Sequence, residues 1–190
     1  DSILYRSLIE HKDKHREYLG SALVLKLIAG TATYLITVLF AFYLVPHEDI
    51  SHWLIWIISF TYIVNAFNII TFEFQAHVDQ KIVSIISMFV LAILSALKLV
   101  VVFANQGIIY FAFILVLESI LYVVTYIYFR RKYFPIWQWR PDVSIMKKLL
   151  ASSWPLLLSG SFTVIYTRVD QIIIKNILDN ASVGIYDSAV

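Results

Sequence analysis

A chain of 190 residues that is 60% hydrophobic and only 15% charged is too apolar for a soluble domain, where roughly half and a quarter are usual. Its net charge of +2 is no footprint for nucleic acid, because the basic residues cluster in two segments that flank apolar stretches. With no cysteine, disulfides, thiolate metal sites and catalytic thiols are excluded.

The chain opens on Asp1 rather than Met, in a charged segment carrying Arg6, Lys12, Lys14 and Arg16, with no cleavable signal pattern ahead of the first apolar stretch. It stops at Val190 within an apolar-looking start, so we expect an internal piece of a longer membrane protein. Five apolar stretches follow one another, approximately Ser21–Val45, Trp53–Phe72, Ile82–Ala104, Ile108–Phe129 and Leu149–Leu178. Each reaches the ~20 residues that cross a ~30 Å hydrocarbon layer as a helix. The expected fold is an all-α integral membrane protein, a polytopic bundle of about five transmembrane helices.

Lys and Arg alternate between the connecting segments. The N-terminal segment and the loop Arg130–Lys148 are basic, the loop Pro46–His52 and the turn Asn105–Gly107 have neither residue, and Phe72–Lys81 has only Lys81. This alternation places Asp1–Gly20 in the cytoplasm, with spans two and four returning there. Trp53 and Trp56 then anchor the outer interface, and Tyr133, Phe134, Trp137, Trp139 and Trp154 the inner one. The basic and aromatic run Arg130–Arg140 either fixes topology alone or also grips anionic membrane lipid.

Pro46 ends the first span. Asn105-Gln106-Gly107 makes spans three and four an antiparallel hairpin. Pro135 and Pro141 keep the loop 130–148 from forming one continuous helix, which makes it the candidate linker between two bundles. The fifth stretch holds Pro155 and Gly160 and exceeds the hydrocarbon thickness, so a kink at Pro155 is expected.

Helical spacing gives every span a polar or small face: Lys26, Gly30, Thr33 and Thr37; Thr61, Asn65 and Asn68; Ser84, Ser87, Ser95 and Lys98; Glu118, Tyr122 and Thr125; Ser152, Pro155, Ser159, Thr163, Tyr166 and Asp170. Packing between helices explains the small and hydroxyl residues. Ionisable residues differ, since a charge near mid-bilayer costs at least ~2.5–3.5 kcal/mol. Glu118 lies halfway along span four. Lys98 differs from it in depth by about four residues, roughly 6 Å, which long side chains can bridge. The two form either a neutralised pair holding the hairpin or a proton- or ion-sensitive site beside a conduit. Lys26, one turn inside the membrane edge, can snorkel. Arg168 and Asp170 point to different faces. Arg168 offers a planar fork of donors suited to a diphosphate, or else anchors the outer interface.

The phrases Lys147-Lys148-Leu149-Leu150-Ala151-Ser152-Ser153-Trp154-Pro155-Leu156-Leu157-Leu158-Ser159-Gly160, Tyr166-Thr167-Arg168-Val169-Asp170-Gln171 and Val183-Gly184-Ile185-Tyr186-Asp187-Ser188-Ala189 together resemble the bacterial polysaccharide flippases, O-antigen and capsule exporters of the multidrug/oligosaccharidyl-lipid/polysaccharide superfamily. Leu19-Gly20 followed by Ala22 two places on, Phe72-Glu73-Phe74-Gln75-Ala76 and Lys98-Leu99 resemble the same family, which has a small residue more often where Asp187 stands. The resemblance implies a larger two-lobed transporter in the bacterial inner membrane. Residues 1–129 would close the N-terminal lobe, 130–148 would link the lobes, and 149–190 would begin the C-terminal lobe. The implied activity is flipping of undecaprenyl-diphosphate-linked oligosaccharide by alternating access. Arg168, Lys98 and Lys26 would bind its anionic groups, and Glu118 and Asp170 would couple to H+ or Na+. No catalytic residue, cofactor or metal is expected. The other partners implied are membrane lipids and the transporter's remaining helices, with no nucleic acid.

Two other readings stand beside it. A multidrug or cation antiporter of the same superfamily would use an intramembrane acid to recognise cationic drugs. A membrane-embedded polysaccharide polymerase or glycosyltransferase would need acidic or His-rich catalytic loops, yet His47 and His52 show no nucleophile arrangement. His77 beside Asp79 reads as a solvated-loop histidine, for want of partner ligands.

Overall fold

The computed structural model describes residues 2–44, 50–76, 80–133, 139–177, 183–184 and 186–187. The Pro46 stop, His47, the His77 and Asp79 couple, Pro135 and Trp137 lie outside the described residues. Among the described residues all regular structure is helical: α1 (Ser2–Glu10), α2 (His15–Leu44), α3 (Ile50–Ser59), α4 (Thr61–Val64), α5 (Ile70–Ala76), α6 (Gln80–Phe103), α7 (Ile108–Tyr133) and α8 (Val143–Ile177). Two 3-10 turns, Lys12–Lys14 and Asn65–Ile69, lead into α2 and α5.

Five helical runs are long and apolar enough to cross a bilayer: His15–Leu44, Ile50–Gln75, Lys81–Phe103, Ile108–Arg131 and Val143–Gln171. The chain is an all-α, multi-pass membrane protein. Large apolar side chains stand exposed along the spans, among them Phe40, Phe89, Phe103, Phe113 and Phe162, as a protein whose solvent is lipid allows. The runs begin earlier than hydropathy places them in α2 and α8, at His15 and Val143, and α7 continues past Phe129. Helical hydrogen bonding does not stop where the apolar residues do.

The chain divides into two compact units, Asp1–Lys147 and Lys148–Val190. In the first, α6 and α7 pack as a hairpin, α2 packs along α3 and α4, and α3 and α4 pack on α7. Helix α1 lies against α5 and α2, burying Leu4 and Leu8. The core is built from Leu19, Ile69, Ile70, Phe74, Ile86 and Leu94.

The α6–α7 hairpin closes on Asn105, whose φ of 49° is the left-handed conformation that ends helices. Its N–H donates to the Val102 carbonyl at 3.0 Å and the Gln106 N–H to Val101 at 3.2 Å, so these two carbonyls at the end of α6 are satisfied. At the start of α8, the Asp142 carboxylate accepts from the N–H groups of Ser144 at 2.7 Å and Ile145 at 3.1 Å, an N-cap.

An irregularity that hydropathy does not mark sits in the second span. Helix α8 passes through Pro155 without a break in its helical assignment. The second span, which has neither proline nor glycine, breaks after Ser59 and again over Asn65–Ile69. Polar side chains explain it. Ser59 Oγ donates to the Trp56 carbonyl at 3.2 Å, Thr61 Oγ1 to Ile58 at 2.7 Å and Thr71 Oγ1 to Asn68 at 2.7 Å. Such bonds compete with the backbone ladder and bend helices. The neighbouring helix accommodates the irregular backbone at Gly30, where an added Cβ would lie 2.5 Å from the Tyr62 carbonyl oxygen.

Candidate functional site

One turn along α2 from Gly30, Lys26 enters a cavity of about 530 Å³ lined by Lys26, Asn65, Asn68, Thr71, Phe72, Ser87, Tyr122 and Tyr126. Every part of this wall has a local cause. The 3-10 turn puts Asn65 and Asn68 on one side, where Asn68 Nδ2 donates to Asn65 Oδ1 at 3.1 Å. Phe72 follows on α5 and takes the lysine ammonium 5.1 Å from its ring centroid, a cation–π contact. From α6, Ser87 Oγ donates to its own helix at Val83, 2.9 Å away, and lies 3.4 Å from the Tyr126 hydroxyl. Tyr122 stacks on Tyr126 with ring centroids 6.1 Å apart.

The wall therefore holds one ammonium, two carboxamides and four hydroxyls, gathered on one cavity of the first unit. Lysine, amide and hydroxyl donors suit an anion or the hydroxyls of a sugar. Irregular backbone at membrane depth belongs where it lines such a space, since lipid cannot satisfy it.

Polar faces from four spans meet here: Lys26 from the first, Asn65 and Asn68 from the second, Ser87 from the third, Tyr122 from the fourth. The Lys26 ammonium lies over Phe72. The rest of those faces go elsewhere. Thr33, Ser84 and Ser95 are exposed, and Thr37 borders a separate apolar depression with Phe40 and Ile55. Sequence reasoning did not single out Thr71, Phe72 or Tyr126 as wall residues.

Lys98 and Glu118 do meet, Nζ to Oε2 at 3.4 Å, with 40% and 27% of their side chains exposed. Glu118 sits one helical turn from Tyr122. In the second unit, Arg168 donates to Gln171 Oε1 at 2.9 Å and to Asp187 Oδ1 at 3.4 Å. Gln171 also donates to Asp187 at 2.6 Å. Asp170 accepts from the Tyr186 hydroxyl at 3.3 Å, and its charge, with burial and this bond, holds the Tyr186 phenol above its ordinary pKa. Arg168 and Asp170 thus engage different partners, as their two-residue offset requires. The hydroxyls of Thr163 and Thr167 are bonded back to Ser159 and Thr163 at 3.0 Å each. That part of the α8 face needs no helix partner to satisfy it.

A family model described as polysaccharide biosynthesis protein matches residues 2–190. The chain belongs to that family. No curated protein and no solved structure matches it.

A buried, two-bonded ion pair joins α5 to α7. Arg130 donates from Nε to Glu73 Oε2 at 2.6 Å and from Nη2 to Oε1 at 3.1 Å, with side chains 2% and 9% exposed. Sequence reasoning counted Arg130 among the loop charges and Glu73 as part of a family phrase.

Proposed function

We propose that this chain forms part of a transporter that flips undecaprenyl-diphosphate-linked oligosaccharide across the bacterial cytoplasmic membrane for surface polysaccharide export. The lobes alternate access between the two faces, and the N-terminal segment and basic loops lie in the cytoplasm. The carrying observation is the lysine and hydrogen-bond donors of the Lys26 cavity, beside a broken membrane span, in a member of a polysaccharide biosynthesis family. Lys26 attracts the anionic diphosphate or an acidic sugar, and the Asn, Thr, Ser and Tyr groups replace water around it. Arg168 and Lys98 take further anionic groups along the route. Glu118 and Asp170 are the groups through which H+ or Na+ couples to transport. The role is transport rather than catalysis, with lipids and further helices as the other partners and no cofactor.

A drug exporter fits less well, because the charged group in the cavity wall is a lysine, which repels cations. The test is complementation of a flippase-deficient cell by the full-length protein. Wild type restores surface glycan, and Lys26→Met, Arg168→Ala, Lys98→Ala and Glu118→Gln restore less. Full restoration by all four removes the residue assignments. Protection against cationic drugs without glycan export overturns the reading itself.

A further inference from the structure

The segment that leads into α8 is held at two points on the basic end of the first unit. At the first, Trp139 lies over the Arg130 guanidinium, 4.9 Å from ring centroid to carbon, while Glu73 grips the same guanidinium with both carboxylate oxygens. A delocalised, weakly hydrated cation is suited to this sandwich of carboxylate and ring. The stack joins α5, α7 and the segment after it.

At the second point the backbone of Arg140 and Asp142 is held by the Arg16 backbone and the Ser21 hydroxyl. The Arg140 N–H donates to the Arg16 carbonyl at 3.2 Å. Ser21 Oγ donates to the Asp142 carbonyl at 3.1 Å and accepts from the Asp142 N–H at 2.9 Å. Gly20 makes this approach feasible, since a Cβ there would lie 2.8–3.0 Å from three backbone atoms of Arg140. Gly20 and Ser21 are fully or almost fully buried. Asp142 completes the join by capping α8.

Gly20 and Glu73 both belong to the phrases that resemble the family, yet the transport reading gives them no task. Here each is the socket for one end of a four-residue piece of chain.

We propose that Trp139–Asp142 is a fixed strap that keeps the first turn of α8 attached to α2, α5 and α7 throughout the working cycle, rather than a loose tether. Its polar contacts are local: a buried guanidinium with its carboxylate, the Arg140 N–H with the Arg16 carbonyl, and both backbone groups of Asp142 with Ser21. Lifting the strap would strand these groups together, so it stays down while other parts of the molecule move. The inference rests on the transport reading only for what the cycle is.

These 190 residues hold no cysteine, so the test uses full-length protein from which any cysteine elsewhere has been removed. Arg16 and Arg140 have exposed side chains on a directly bonded backbone pair, so Arg16→Cys with Arg140→Cys places two thiols across the strap. In the full-length protein in native membranes, oxidation or a short bis-thiol reagent links them quickly. The linked protein restores surface glycan to within about twofold of its reduced form. Ser21→Ala in that background slows linking about fivefold or more, as does Gly20→Ala. The proposal is overturned if the thiols fail to link, if neither added variant slows linking, or if linking abolishes glycan export and reduction restores it. The linking rate decides the strap even in a protein that moves no glycan. Failure of unlinked wild type to restore glycan counts against the transport reading alone.

Discussion

Two ion pairs between helices of the first unit, Glu73–Arg130 and Lys98–Glu118, have the same charges and opposite designs. The first has two bonds, at 2.6 and 3.1 Å, from a planar fork, is almost wholly buried, and carries an aromatic ring on its cation. The second has one contact at 3.4 Å from a flexible ammonium that is 40% exposed. A buried pair that loses a partner leaves an uncompensated charge, which is strongly destabilising. A looser pair can exchange partners at small cost. The comparison separates a fastener from a switchable contact, and only the second suits a route along which ions or anions pass.

The sharpest way to break this contrast is to remove one partner from each pair. Arg130→Ala should cost about 3–5 kcal/mol, seen as a lower thermal midpoint in detergent. Pairing Arg130→Met with Glu73→Gln should recover part of that, because no buried charge then remains. If Arg130→Ala leaves the midpoint unchanged, the pair is not a fastener.

A smaller loss, about 1–3 kcal/mol, is expected for Gly30→Leu. The new side chain must push α2 away from the Tyr62 carbonyl, and the cavity one turn away should change with it. Lys26→Met separates site from scaffold. Glycan export should fall about tenfold while stability changes by less than about 1 kcal/mol, a split that flux assays and melting curves read together. The smallest effect belongs to the Lys98–Glu118 pair, whose double-mutant cycle should give a coupling of about 1 kcal/mol or less. A coupling as large as that of Glu73–Arg130 would erase the distinction.

The membrane spans were legible because hydropathy sums over some twenty residues and one polar residue cannot overturn it. The Lys98–Glu118 contact was legible because Asn105-Gln106-Gly107 fixes the hairpin, and depth along two helices then follows from their rise. The break in the second span was not anticipated from Asn65 and Asn68. Its cause is the density of Ser59, Thr61, Asn65, Asn68 and Thr71, side chains that compete for carbonyls. The Glu73–Arg130 bond joins residues 57 apart, and a count of loop charges placed Arg130 outside the helix that buries it. The Asp187 contacts of Arg168 and Gln171 likewise depend on a turn of chain that periodicity does not describe.

The account stands on water and substrate sharing the Lys26 cavity, and labelling measures that directly. Asn68→Cys, placed in an otherwise cysteine-free full-length protein in inverted membrane vesicles, should react with a membrane-impermeant thiol reagent. A pool of lipid-linked oligosaccharide should slow the reaction. A thiol that does not react, or that reacts equally fast with and without that pool, contradicts the account.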